Sequence, residues 1–232
     1  MTPAAVGPED AGERQDVAGA ASAARESLRE SRIVRASAYR RMPWKNGAGR
    51  TAEIHCEPAA DAWRWRLSIA EVETAAPFSL YPGVERELVL LSGNGLRLHF
   101  DDGQVSELRP PYGGLRFSGE RRVVGEPVDG PSSDFNLMWK RGEIDACLWR
   151  RPLVGTMALF VAPGETWVVY LLSGGGRFDD GSGLGDLHAG DTALLCASGT
   201  ERSRHALVAT GEALVIHLQH VMSSQGTRCR SG

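Results

Sequence analysis

From Ile33 onward, apolar and polar residues alternate with the two-residue period of a pleated strand. Across 63–70, Trp63, Trp65, Leu67 and Ile69 fall on one face, and Arg64, Arg66, Ser68 and Ala70 on the other. Glu87–Leu91, Leu96–Phe100, Trp167–Leu172 and Ala213–Leu218 are further predicted strands. Turns such as Ser92-Gly93-Asn94-Gly95 and Asp101-Asp102-Gly103 separate them. No amphipathic helix of convincing length interrupts this pattern, so the predicted class is all-β. Upstream the pattern is missing. The first ~30 residues hold no aromatic and little aliphatic beyond alanine, and lack the basic and apolar regions of a signal peptide. They are expected to form a disordered or frayed tail, in which propensity allows a short helix near Ala18 to Arg29.

An internal repeat carries the reading beyond class. Leu90-Leu91-Ser92-Gly93-Asn94-Gly95 recurs as Leu171-Leu172-Ser173-Gly174-Gly175-Gly176. The turn Asp101-Asp102-Gly103 recurs as Asp179-Asp180-Gly181, and a leucine then leads into a further turn at Leu108-Arg109-Pro110-Pro111 and at Leu187-His188-Ala189-Gly190-Asp191. An ordered series of three such matches points to duplication. Each unit reads as strand, glycine turn, strand, acidic turn and strand, the meander of a small jelly-roll barrel. The expected organisation is a tail over 1–32, a first barrel over 33–140, a second over 141–222 and a C-terminal tail over 223–232.

A strand ending in VLxGxG, followed by a turn and L-x-x-G-D, resembles the pattern of cupin barrels, which makes the chain similar to a bicupin. That resemblance implies a metal site of two histidines and a glutamate before the glycine turn. Here the corresponding stretch is Ser79-Leu80-Tyr81-Pro82-Gly83-Val84-Glu85-Arg86, without histidine and with Arg86 near the glutamate position. The second copy, Val161 to Trp167, also lacks histidine. A guanidinium in that slot repels a metal and attracts a carboxylate, which it can hold bidentately. No metal and no cofactor are expected.

Four motifs narrow the resemblance. The segment Trp44-Lys45-Asn46-Gly47-Ala48-Gly49-Arg50-Thr51-Ala52-Glu53 resembles the W-[KR]-N-G-x-G-x-T-x-E opening of the HutD/Ves family. Trp65 to Ala70 resembles its W-R-x-S-x-A strand, Phe78 to Arg86 its F-S-x-F-P-G-x-x-R with Tyr81 for phenylalanine, and Asp134 to Met138 its D-F-N-x-M. The resemblance implies a metal-free bicupin. HutD proteins accompany histidine-degradation enzymes and are thought to bind a pathway compound such as urocanate or a formylated intermediate. Ves proteins look like stress-responsive relatives with no clear activity.

Composition sets limits on partners. The chain has 232 residues, a net charge of −3 and a pI near 6.1, which argues against nucleic-acid or membrane-surface binding. No apolar run approaches the ~18 residues of a membrane span. Cys56, Cys147, Cys196 and Cys229 are scattered without a CxxC pair, which favours free thiols and a cytoplasmic location. Twenty-eight glycines and 12 prolines suit many short strands. Lysine occurs only at Lys45 and Lys140, against 26 basic residues in all, a bias that a GC-rich coding sequence would explain.

The expected function is non-catalytic binding of a small carboxylate, of the urocanate, formate or formylated amino acid class, by a sensor or regulator linked to histidine or urocanate utilisation or to stress response; a homodimer is compatible with this. Arg86 is the expected anchor, the alternative being an ion pair with Glu85, Glu87 or Glu53. Arg66 and Ser68 line the pocket if their face points inward and are surface residues if it points out. Lys45, Asn46 and Gly47 either supply donors to the ligand or form a tight turn. Asn136 either bonds the ligand or caps an edge strand. Trp44 and Phe78 are expected as pocket wall or core. His99, His205, His217 and His220 are assigned structural roles, since residues three apart on a strand point to opposite faces. The alternative function is a metal-independent isomerase or hydrolase with Glu53 or Tyr81 as general base. A third reading is a scaffold whose barrels are filled by side chains.

Overall fold

The computed structural model describes residues 30–221 with the exception of Lys45 and Asp61, so the expected C-terminal tail and nearly all of the N-terminal one lie outside the described residues. Among the described residues sixteen strands follow one another: β1 (Arg32–Val34), β2 (Arg40–Pro43), β3 (Gly49–Glu57), β4 (Trp65–Val72), β5 (Ala76–Pro77), β6 (Val84–Ser92), β7 (Leu96–Phe100) and β8 (Val105–Leu108). Then come β9 (Gly114–Ser118), β10 (Val123–Pro127), β11 (Ser132–Lys140), β12 (Ile144–Val161), β13 (Glu165–Phe178), β14 (Asp186–His188), β15 (Thr192–Cys196) and β16 (Ser203–His220). Among the described residues only two short 3-10 turns are helical, and no helix is long and apolar enough to cross a membrane.

The first half pairs a six-stranded sheet, β2-β3-β4-β11-β6-β9, with a four-stranded one, β5-β10-β7-β8. The second half is a single sheet, β1-β15-β13-β16-β12, with β14 added to β13. These are open paths rather than hydrogen-bonded rings, and together they make the two jelly-roll (cupin-type) halves of a bicupin. The short β1, at the junction of the expected tail and first barrel, pairs with β15 in the second half. Just beyond it, Asp191 accepts from Arg35 at 2.7 Å and from the Ala36 amide at 2.9 Å.

The strand faces sort into three cores. Trp65 and Leu67 of β4, and Phe135, Leu137 and Trp139 of β11, pack against Val168 and Tyr170 of β13 and Leu214 and Ile216 of β16. The apolar face seen in the sequence therefore joins the two halves, sheet against sheet. Leu88, Leu90, Leu96, Leu98 and Phe117 fill one end of the first barrel. Val169, Leu171, Phe178, Leu187 and Leu207 fill the second.

The duplicated glycine motif does not fold alike in its two copies. Ser92-Gly93-Asn94-Gly95 turns between β6 and β7 as expected, whereas Ser173-Gly174-Gly175-Gly176 continues β13 through a register shift. Gly174, at φ +83°, faces Gly211, at φ +125°, across β16. A Cβ on Gly174 would lie 1.9 Å from the Thr210 carbonyl oxygen, so here glycine serves a bulge with close backbone approach. One of the four cysteines also differs from the expectation of free thiols. Cys56 and Cys196 are free, Cys147 is disulfide-bonded, and Cys229 lies outside the described residues. Scattered spacing carries no information about which thiols bridge.

Candidate functional site

The six-stranded sheet of the first half turns its polar face inward because its apolar face is taken by the second half. Register then fixes what shares that inner face. Arg66 and Arg86 flank Met138 from β4 and β6; Ser68 and Leu88 flank Asn136; Ala70 and Leu90 flank Asp134. Thr51 of β3 sits opposite Ala70. Over this face fold the end of β2 with the loop after it, and the segment between β5 and β6. Between them lies a cavity of about 530 Å³. The first half is thus open on this face, which sets aside the filled-scaffold reading for this half.

Of the residues singled out from sequence, Arg86, Arg66, Ser68, Asn46, Asn136, Trp44 and Phe78 all line this cavity. Gly47 does not. At φ +70°, with its amide donating to the Trp44 carbonyl at 3.1 Å, it makes the tight turn of the β2–β3 loop. Asn46 lines the cavity while its Oδ1 accepts from the Ala48 amide at 3.1 Å, so its carbonyl end is used by the same turn. Lys45 lies outside the described residues. Trp44 is held by its indole N–H, which donates to Thr51 Oγ1 at 2.8 Å, and by an edge-on contact with Phe78 at 6.3 Å. Phe78 needs Gly125 of β10 beneath it, since a Cβ there would lie 2.7 Å from the ring.

Arg86 and Arg66 face the same space with different electrostatics. Arg66 Nε lies 3.1 Å from Glu53 Oε2, and Glu53 also accepts from Arg40 at 2.8 Å and from the Cys56 thiol at 3.1 Å. Burial pushes the Glu53 carboxyl up, but those hydrogen bonds and the two guanidinium charges outweigh it and leave it below the ordinary range. The same neighbourhood pushes the Cys56 thiol up to about 12, through burial first and the Glu53 carboxylate second. Arg86, 5% exposed, has no ion pair among the described residues, and its Nε has no hydrogen-bond partner. Glu85 is taken by Arg116 and Arg141, and Glu53 by Arg40 and Arg66. Glu85 and Glu87 also point away from Arg86, by the alternation of β6. What surrounds its guanidinium is aromatic: Phe78 at 5.1 Å, Phe117 at 5.3 Å and Tyr81 at 5.9 Å. Ring faces stabilise a cation without neutralising it. Burial lowers the Arg86 pKa and the charge of Asp134 partly restores it; the group remains a cation.

Sequence reading missed one group at the site. Asp134 is fully buried, lines the cavity, and neither carboxyl oxygen has a hydrogen-bond partner among the described residues. Burial pushes its pKa up to about 7, against the charge of Arg86. It precedes Asn136 by two residues on a strand, which is the signal that could have found it. Tyr81, considered only as a base, also lines the cavity, with Ser79 and Thr51. Among the described residues no three His, Cys, Asp or Glu side chains converge as a metal site. Three of these histidines have local partners: His99 with Glu126 at 2.7 Å, His217 with Glu165 at 3.5 Å and with the Trp167 ring, His205 with Ser31 at 3.2 Å.

Comparison with known proteins follows this geometry. An uncharacterized 21.2 kDa protein from the hutC 3′ region of Pseudomonas putida is 40% identical over 114 residues, 48% of this chain and 60% of that protein. Protein Ves of Cronobacter sakazakii is 33% identical over 145 residues, 61% of this chain and 77% of Ves. The solved structure of HutD from Pseudomonas fluorescens SBW25 superposes with a TM-score of 0.71 at 26% identity, covering 83% of this chain and all of HutD. A conserved protein of unknown function from Pseudomonas aeruginosa PAO1 gives 0.72 at 32% identity, with the same coverage. At 8% identity and a TM-score of 0.59, the Escherichia coli pirin YhhW shares the fold alone. The HutD family model matches residues 36–215, a span that takes in both halves and every strand lining the pocket from β2 to β11, and the chain belongs to the HutD/Ves family.

Proposed function

We propose that this protein binds a small carboxylate in the first-barrel pocket, without metal and without turning it over, as a sensor or regulator tied to histidine or urocanate utilisation. One observation carries the reading: Arg86 is a buried cation that lines a cavity of about 530 Å³ and has no ion pair among the described residues. A charge left in that state costs several kcal/mol on the order of a desolvation penalty, which a bound anion offsets. The hutC-region relative and the similarity to HutD of P. fluorescens support the link to histidine utilisation. The isomerase or hydrolase alternative has less support, because Glu53, its candidate base, is engaged by Arg66, Arg40 and Cys56.

Thermal shift and calorimetry with urocanate, formate and formylglutamate at millimolar concentration test the reading. Stabilisation by at least one, lost in Arg86→Ala, is expected. No shift with any of them, or full binding by Arg86→Ala, overturns it. Turnover of these acids in the presence of chelator would establish the enzymatic alternative instead.

A further inference from the structure

The second half has an opening of its own, at the edge of its sheet. β12 ends the strand path, paired with β16 on one side only. Register puts Trp149, Arg151 and Leu153 of β12 on the face shared by Val215 of β16 and Trp167 of β13. Along this face lies a cavity of about 420 Å³, and no residue that lines it lines the first-half pocket. One wall is aromatic: the Trp149 and Trp167 rings stack at 6.2 Å and 22°, and the His217 ring lies 4.6 Å from that of Trp167. Leu153, Met157, Leu159 and Val215 make the rest of the lining largely apolar. Of its polar side chains, Arg151 and Trp167 can only donate, and Thr156 can do either. Trp167 Nε1 is buried with no hydrogen-bond partner among the described residues. Arg151 is exposed, lies 6.0 Å from the Trp149 ring, and has no ion pair among the described residues. A buried N–H left unpaired is costly, and an acceptor on a bound molecule relieves it.

We propose that this cavity is a second binding site, for a large flat aromatic acid. The ring system packs against Trp149 and Trp167, and the acceptor oxygens face Arg151 and the Trp167 indole N–H. The class differs from that of the first-half pocket. There the cation is buried and the wall carries Ser68, Asp134 and Asn136, which suits a small polar acid. Here the cation is exposed and the lining apolar, which suits a hydrophobic ring with one charge at its edge. A saturated ring of the same skeleton loses the aromatic contact, and an uncharged ring loses Arg151. Nothing in this assignment depends on Arg86.

Calorimetry and proton–nitrogen correlation spectra of the full chain test the site, with 2-naphthoate and its saturated analogue decahydro-2-naphthoate as probes. The aromatic acid is expected to bind about threefold or more tighter than the saturated one. It should move the indole N–H signals of Trp149 and Trp167, which Trp149→Phe and Trp167→Phe assign. Arg151→Gln, a change at an exposed position, should weaken 2-naphthoate about tenfold. Trp167→Phe keeps a ring and removes the N–H, and should weaken it about threefold. No binding, equal binding of the two acids, or unchanged affinity in Arg151→Gln overturns the site. Movement of the Trp44 indole signal without those of Trp149 and Trp167 overturns it too, since it places the acid in the first-half pocket. None of these outcomes bears on the carboxylate anchor, which the Arg86 variant tests separately.

Discussion

Arg86 and Asp134 face one cavity from neighbouring strands, β6 and β11, and neither forms an ion pair among the described residues. Burial moves each toward its own neutral form, the carboxyl up to about 7 and the guanidinium down, while the charge of each partly offsets the shift of the other. A salt bridge would have silenced both. Kept apart, they remain two poles available to a third molecule.

The uncompensated state of Arg86 predicts a trade between stability and binding. Arg86→Met keeps the length of the chain and removes the buried charge, so the folded protein is expected to gain about 1–4 kcal/mol. Melting should rise by about 2–4 °C for each kcal/mol gained. Carboxylate binding should fall at least tenfold in the same sample. Calorimetry and a melting curve on one preparation check both, and a destabilised variant would mean that the guanidinium is a structural tie.

Asp134 gives stability a pH slope of known sign. Its folded pKa, about 7, lies above the ordinary 3.8, so between those values the folded state keeps a proton that the unfolded chain has released. Its contribution is whole below that window and lost as pH rises through it, by about 4 kcal/mol at most. Glu87, raised by burial, acts with the same sign, and His205 and His220, lowered by burial, with the opposite one. The difference between wild type and Asp134→Asn isolates the carboxyl. Urea unfolding at pH 5, 6, 7 and 8 should show Asp134→Asn gaining on wild type as pH rises.

Coupling between the halves predicts where truncation hurts most. Phe135 is fully buried between the sheets, its ring 5.0 Å from that of Tyr170. Phe135→Ala should cost about 3–5 kcal/mol by chemical denaturation. Its side chain points away from the cavity, so acid affinity of the molecules that remain folded should stay within a few-fold of wild type.

The divergent glycine copies predict unequal tolerance within one triplet. Gly174→Ala meets the Thr210 carbonyl at 1.9 Å from a backbone at φ +83°. It should lose about 2–4 kcal/mol through strain and displacement of β16. At Gly175 an added Cβ would have nothing within 4 Å, and the same substitution there should change stability by less than about 1 kcal/mol. Melting temperatures of the two variants decide between a bulge and an ordinary turn.

The alternation of β4, the acidic turns and the repeat were legible because strand pairing and turn geometry impose local rules on residue type and spacing. So was the composition of the pocket: Arg86, Arg66, Ser68, Asn136, Trp44 and Phe78 could be picked out from motif and face. What local rules leave open is which face is inside. The apolar face of Trp65, Leu67, Phe135 and Leu137 reads like the wall of a closed barrel, yet it packs against the second half and leaves Arg66, Ser68 and Asp134 to line the cavity. The fate of each charge was undecided for the same reason. Sequence does not say which of Arg66 and Arg86 finds a carboxylate; the bulged course of β3 places Glu53 beside Arg66. Similar glycine motifs became a turn in one half and a bulge in the other because β16 runs against β13 where β6 has already ended. Sequence determined the strands and the residues that share a face; packing of one sheet on another determined which of those faces is dry, which is charged and which is open.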